Sequence, residues 1–146
     1  MDFNSSFVIV GSIVVFIILV TVLVILFYKP GKKLEVYCEY KSQQWDSQEF
    51  VKINVKNTGK KQVKMMSPFV DFYNLQSSQI YQIDPKKVHC KFPRLLQPGD
   101  EVSCEVEIGH YRESLKKSEF HPHKVKIFVK DTVGLKFNSN SMPYKA

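Results

Sequence analysis

VKINVKNTGKKQV, residues 51–63, alternates Val51, Ile53 and Val55 with Lys52, Asn54 and Lys56 before Asn57-Thr58-Gly59 reverses the chain. Successive side chains of an extended chain point to opposite faces, so this stretch reads as a strand with one buried side, followed by a turn. The same period of two continues in both directions. Upstream, Leu34, Val36, Cys38 and Tyr40 alternate with Glu35, Tyr37 and Glu39. Downstream, Val63 and Met65 resume it, Ser67-Pro68 interrupts it as a bulge or edge feature, and Val70 and Phe72 continue the apolar face. A weaker strand surrounds Ile80 to Ile83. Val102, Cys104, Val106 and Ile108 then alternate with glutamates and Ser103, Val125, Ile127 and Val129 alternate mainly with lysines, and Leu135 and Phe137 close the series. Only Tyr111 to Ser118 reads as a short helix.

About seven strands, each apolar on one side, predict antiparallel sheets rather than a parallel sheet buried between helices. Two such sheets packed face to face make an all-β sandwich over residues 34–141, with 142–146 as a C-terminal tail. The polar faces predict a strand order. The first and fifth strong strands point Glu35, Glu39, Glu101, Glu105 and Glu107 outward, whereas the second points Lys52 and Lys56 outward. Opposite charges on neighbouring strands are favourable, which places the lysine strand between the two glutamate strands. The second sheet then takes the third, sixth and seventh strands. Its outer face would show Lys64, Lys124, Lys126, Lys130 and Lys136 with the aromatics Phe69, Tyr73 and Phe128, the candidate interaction face of the domain.

Ahead of the strands, after a flank of residues 1–6, FVIVGSIVVFIILVTVLVILFY (7–28) contains no charged side chain. As a helix it extends roughly 33 Å, enough to cross a hydrocarbon core of about 30 Å. Ser12 and Thr21 can bond back to the preceding turn, and Pro30-Gly31 ends the helix. The flank MDFNSS lacks the basic residues of a signal peptide and no small-x-small cleavage site follows. Gly11 and Ser12 start no small-xxx-small ridge for helix pairing. All 21 Lys and Arg residues lie at Lys29 or beyond and Asp2 is the only earlier acid, so the remainder carries one positive charge more than the +7 of the whole chain. Tyr28, Lys29, Lys32 and Lys33 are expected as membrane-interface anchors, with 29–33 a basic juxtamembrane linker. By the positive-inside rule they put the N-terminus outside and the β domain in the cytoplasm. The Asn4-Ser5-Ser6 sequon would then be outside, close to the bilayer. Cys38, Cys90 and Cys104, odd in number and without a CxxC pair, predict no disulfide scaffold; Cys38 and Cys104 read as small buried apolar residues, in keeping with a reducing compartment.

The stretches VKINVKNTGKKQV (51–63), LLQPGDEVSCEVEI (95–108) and VKIFVKDTVGLKFNS (125–139) together resemble a microbial immunoglobulin-like module. In that pattern a strand ends in Asn-x-Gly, a Leu-x-Pro-Gly-Asp/Glu turn launches a later strand, and the last hairpin carries Asp-x-x-Gly. The resemblance implies an immunoglobulin-like sandwich over most of residues 34–141, without the usual disulfide, and is nearly silent on function. The same motifs have a physical reading: Gly59, Gly99 and Gly134 are expected at positive φ, Pro98 presets a turn, and Asn57 and Asp131 can accept from nearby backbone amides.

Chemistry is sparse. No Ser-His-Asp or Cys-His set has usable spacing and every Gly lies in a turn or the helix, so neither an enzyme nor a phosphate-binding loop is expected, and no cofactor is called for. His121 and His123, with His89, Cys90 or His110, could form a metal site, which makes a copper- or other metal-binding sandwich the most distant alternative. Only two of the basic residues are Arg, which argues against specific nucleic-acid recognition. The expected role is a non-enzymatic, membrane-anchored interaction module that shows a basic sheet face to an acidic protein or an anionic membrane surface. The alternative is a small accessory subunit of a membrane complex.

Overall fold

The computed structural model describes residues 3–27, 31–41 and 49–144, and the chain divides into two units, Met1–Pro30 and Gly31–Ala146. The first is helix α1 (Phe3–Phe27), in which Ser12 Oγ donates to Val8 O and Thr21 Oγ1 to Ile17 O, 2.9 and 2.8 Å. None of Val8–Phe27 is buried, and the segment is long and apolar enough to cross a membrane. A surface of this kind is costly in water, because no face of the helix is polar.

The second unit is built from ten strands: β1 (Leu34–Lys41), β2 (Phe50–Asn57), β3 (Val63–Met65), β4 (Phe69–Tyr73), β5 (Ser78–Gln82), β6 (Arg94–Leu96), β7 (Glu101–Glu107), β8 (Lys124–Lys130), β9 (Lys136–Asn138) and β10 (Met142–Pro143). A short helix α2 (Tyr111–Lys117) precedes β8. All pairings are antiparallel. One sheet has the order β1-β2-β7, and a second has the order β10-β8-β4-β5 with β9 also on β8. The period of two explains the core: Val36 and Cys38, Val51, Ile53 and Val55, Val70 and Phe72, Val102, Cys104 and Val106, and Val125, Ile127 and Val129 are all buried in one cluster.

The charge pattern fits the first sheet residue by residue. Glu35 faces Lys56 and Glu39 faces Lys52 across β1 and β2; Lys52 faces Glu105 and Lys56 faces Glu101 across β2 and β7. Each lysine of β2 thus has a glutamate on both sides.

Several expectations need correction. The run from Val63 to Phe72 is not one strand. Pro68 has no N–H to give a ladder, and the break lets β3 leave and pair with β6 as a separate two-stranded sheet, while β4 enters the second sheet. Residues 142–143 are not a tail but pair with Val125 and Lys124. Gly31–Lys33 belong to the domain: Gly31 O accepts from Lys60 N and Lys61 N, and Lys33 O from Thr58 N and Gly59 N. Gly99 and Gly134 do have positive φ, but Gly59 does not. Its requirement is space, since a Cβ there would lie 2.6 Å from Lys33 N and 2.9 Å from Gly31 O. Cys104 is not a free thiol. The segment Val88–Cys90 runs beside β7, with His89 N donating to Glu105 O, and brings Cys90 within 5.7 Å (Cα–Cα) of Cys104, to which it is disulfide-bonded. Cys38 is free and buried as expected.

A buried amide ties the end of β2 to its surroundings. Asn57 is fully enclosed; its Oδ1 accepts from Gly59 N, and its Nδ2 donates to Lys61 O and Leu96 O at 2.9 Å each. Truncation would remove three hydrogen bonds to the backbone at once, two of them to the carbonyls of Lys61 and Leu96. Asn57→Ala is therefore expected to lower the unfolding free energy by about 2–4 kcal/mol, read from denaturant titration of the full-length chain. A loss below about 0.5 kcal/mol would show that water replaces the amide there.

Candidate functional site

The outer face of the second sheet brings together most of the predicted interaction residues. The β4–β8 register pairs Phe69 with Phe128, Asp71 with Lys126, and Tyr73 with Lys124, all on the solvent side. β9 adds Lys136 opposite Lys130 and Asn138 opposite Phe128. Phe69 and Phe128 stack with centroids 5.1 Å apart and planes nearly parallel. Lys136 Nζ sits 3.8 Å above the Phe128 centroid, and Lys130 Nζ 5.0 Å from that of Phe69. Lys126 Nζ lies 5.0 Å from the Tyr73 centroid and 3.4 Å from Asp71 Oδ2. An ammonium held over an aromatic face is attracted by the ring quadrupole, so these lysines are positioned rather than splayed.

Two predicted members stand differently. Lys64 is on β3, in the separate β3–β6 sheet, and does not belong to this face. Phe128 points to the expected side but is only 2% exposed, roofed by lysines and stacked on Phe69, so it supports the face without contacting a partner directly. Sequence reasoning missed Asp71, a buried acid among the lysines whose alternation with Phe69 and Tyr73 was the available signal. Beside this face, Met66, Phe69, Pro85, Phe92, Pro93 and Lys130 line an open groove of about 540 Å³.

Of the expected interface anchors, Tyr28 and Lys29 lie outside the described residues. Lys33 forms an ion pair with Glu35 at 3.5 Å. Lys32 reaches into the domain, its Nζ 2.9 Å from Oδ2 of the buried Asp131. Oδ1 of the same carboxylate accepts from Val133 N and Leu135 N, which closes the Asp-x-x-Gly turn. Burial alone would raise the Asp131 carboxyl, but the Lys32 ammonium and the two amides hold it below its ordinary range.

The other titratable groups are spread out. Cys90 is held in the disulfide, His89 packs near Phe50, His110 stacks on Tyr111, and His121 Nδ1 lies against Glu119 O. No three His, Cys, Asp or Glu side chains among the described residues gather as a metal-binding group. Burial pushes the Cys38 thiol up to about 11, so it is protonated at neutral pH and a poor nucleophile.

No protein-family model matches the chain, and no curated protein is similar enough to align with it. Among solved structures, one described as the ApaA protein from Bordetella pertussis is similar over 81% of this chain and 93% of its own, at 13% identity and a TM-score of 0.35. A second structural-genomics target aligns over 78% of this chain and 84% of its own, also at 13% identity, with a TM-score of 0.34. Likeness at that level carries nothing about the role of this chain.

The Asp131 arrangement gives a pH-dependent expectation. A carboxyl held below its unfolded value contributes stability above about pH 4 and loses it as pH falls toward its folded value. Asp131→Asn is expected to cost about 1–3 kcal/mol at pH 7, with the gap to the native chain closing in acid. Thermal melts from pH 7 to pH 3 check this, and a gap independent of pH would show that the Asp131 carboxyl is not held below its unfolded value.

Proposed function

We propose that the chain is a non-enzymatic, membrane-anchored interaction module, with α1 spanning the bilayer and an immunoglobulin-like sandwich presenting the outer face of β4, β8 and β9 to an acidic protein segment. The observation that carries this reading is the unequal sorting of charge. The first sheet sets each lysine of β2 between glutamates, whereas the second shows Lys124, Lys126, Lys130 and Lys136 with Asp71 as the one acid paired in their register among the described residues. Electrostatic complementarity with an acidic partner follows, together with apolar contact in the groove beside Phe69. The strand order β1-β2-β7 supports the immunoglobulin-like part of the reading, because it is the A-B-E neighbourhood of that fold.

The side of the membrane belongs to the same proposal. Lysines after the span favour a cytoplasmic domain, but the Cys90–Cys104 disulfide supports an oxidising compartment, where such bonds persist. We give the disulfide more weight, since the positive-inside rule is a bias while cytosolic reductants act on every accessible bond. The domain then lies outside the cytoplasm, the reverse of the orientation expected from the lysines.

Two measurements test these statements. Full-length protein in nanodiscs of uncharged lipid should bind a glutamate-rich peptide, and Lys130→Glu with Lys136→Glu should weaken binding by roughly tenfold or more at 0.15 M salt and less at 1 M. Equal binding by variant and native chain sinks the proposal, and binding confined to anionic vesicles transfers the face to lipid headgroups. For orientation, Leu75→Cys should react with a membrane-impermeant maleimide on intact cells. Reaction only after lysis would return the domain to the cytoplasm.

A further inference from the structure

The two large sheets have several lateral edges, and the chain closes nearly all of them. The free side of β1 is clamped by Asn140, whose Oδ1 accepts from Cys38 N at 2.7 Å while its Nδ2 donates to Cys38 O at 2.9 Å. The free side of β7 carries Val88 to Cys90, bonded at Glu105 O and at the disulfide. β8 is covered by β9 and β10. The order β10-β8-β4-β5 has two ends: β10 is only two residues long and its Pro143 O accepts from the Tyr40 hydroxyl, whereas β5 is five residues long and no strand pairs with its outer side among the described residues.

The hydrogen-bond parity of β5 shows what that edge offers. At one end Asn74 N donates to Ser77 O, and at the other Ile83 N donates to Pro68 O, both in the β4–β5 register. Odd-numbered residues of β5 therefore bond to β4, and the backbone N–H and C=O of Ser78, Ile80 and Gln82 point away from it. Among the described residues only Gln82 O has a partner there, the Tyr111 hydroxyl at 3.2 Å. Exposed edges are normally guarded by lysine, proline or a bulge. This one has none of them. Residues 72–83, FYNLQSSQIYQI, form the longest stretch without a charged side chain after the helix, in a chain with 24% charged residues. Ile80 is 51% exposed at its centre.

We infer that β5 is a strand-addition edge and that its occupant is β5 of a second copy of this chain, paired antiparallel about Ile80. The sequence is self-complementary in that register. Ile80 faces Ile80 of the other copy, Ser78 faces Gln82, and Gln79 faces Tyr81, with no charge set against a like charge. The outward backbone groups fall opposite one another, so Ile80 N–H and C=O exchange bonds across the two-fold axis, as do those of Ser78 with Gln82, whose carbonyl keeps a second lone pair beside the Tyr111 hydroxyl. An acidic partner gains nothing from this uncharged edge, whereas a basic chain meets its own copy here without repulsion at the seam. Pairing would join two five-stranded sheets into one and double the lysine face. The inference is independent of what that face binds.

The test is cysteine cross-linking of the full-length chain in lipid vesicles. Ile80→Cys should give a covalent dimer under mild oxidation, since directly opposed residues on hydrogen-bonded antiparallel strands have Cα atoms about 5.5 Å apart, within disulfide reach. Thr132→Cys, on the turn before β9, should not. Ile80→Lys should keep the native melting profile and run as a monomer in mild detergent where the native chain runs as a dimer. A native chain that is monomeric in both settings overturns the inference. So does a folded Ile80→Lys chain that remains dimeric, because the contact would then lie elsewhere. Cross-linking of Ile80→Cys in native membranes to another protein, with no homodimer, overturns the second copy as occupant.

Discussion

The domain depends on one buried apolar cluster to which the strands of both antiparallel sheets contribute. A strand offers only two faces, so once Val51, Ile53 and Val55 turn inward, Lys52, Asn54 and Lys56 have no choice but to turn outward. The same applies to β8, where Val125, Ile127 and Val129 are buried. A register slip of one residue on either strand would bring lysines into the core and send valines into water, which is why these central strands admit a single pairing. The charge sorting on the outer faces is a consequence of that commitment.

At one end of the cluster, polar groups complete the enclosure. Asn57 satisfies carbonyls from β3 and β6 territory, Asp131 holds its own turn and the Lys32 ammonium, and Gly59 leaves room for Gly31 and Lys33 to run alongside. These are buried polar groups with satisfied partners, so they bring strand ends together without the desolvation cost of an unpaired group. The region read as a linker is for this reason part of the fold from Gly31 onward.

How much of this was legible in the sequence follows from range. Local periodicity identified β1, β2, β7 and β8, and their outward charges placed β2 between β1 and β7, because both signals live within a few residues. The turn chemistry of Asn57, Gly99, Asp131 and Gly134 was equally local. What was missed is non-local. Three cysteines give no parity for a scaffold, and only the return of Val88–Cys90 along β7 shows which two meet. Lys64 was assigned to the basic face because alternation survives Ser67-Pro68, although the break sends β3 to another partner. Asn140 looks like any loop amide until it lies against Cys38. Of the candidate site, the lysines and aromatics of β4, β8 and β9 were legible as a set, but not the burial of Phe128 or the acid Asp71 among them.

The lysines stacked on Phe69, Tyr73 and Phe128 have a further thermodynamic meaning. A free lysine stem carries about 2 kcal/mol of rotational entropy that must be lost when its ammonium is fixed against another group. Where Lys130 and Lys136 already lie over rings, much of that loss has been taken during folding. Their charges stand ready at set positions before anything arrives. Contact with a rigid array of this kind should be less entropically opposed and more geometrically selective than contact with a brush of mobile lysines carrying the same total charge.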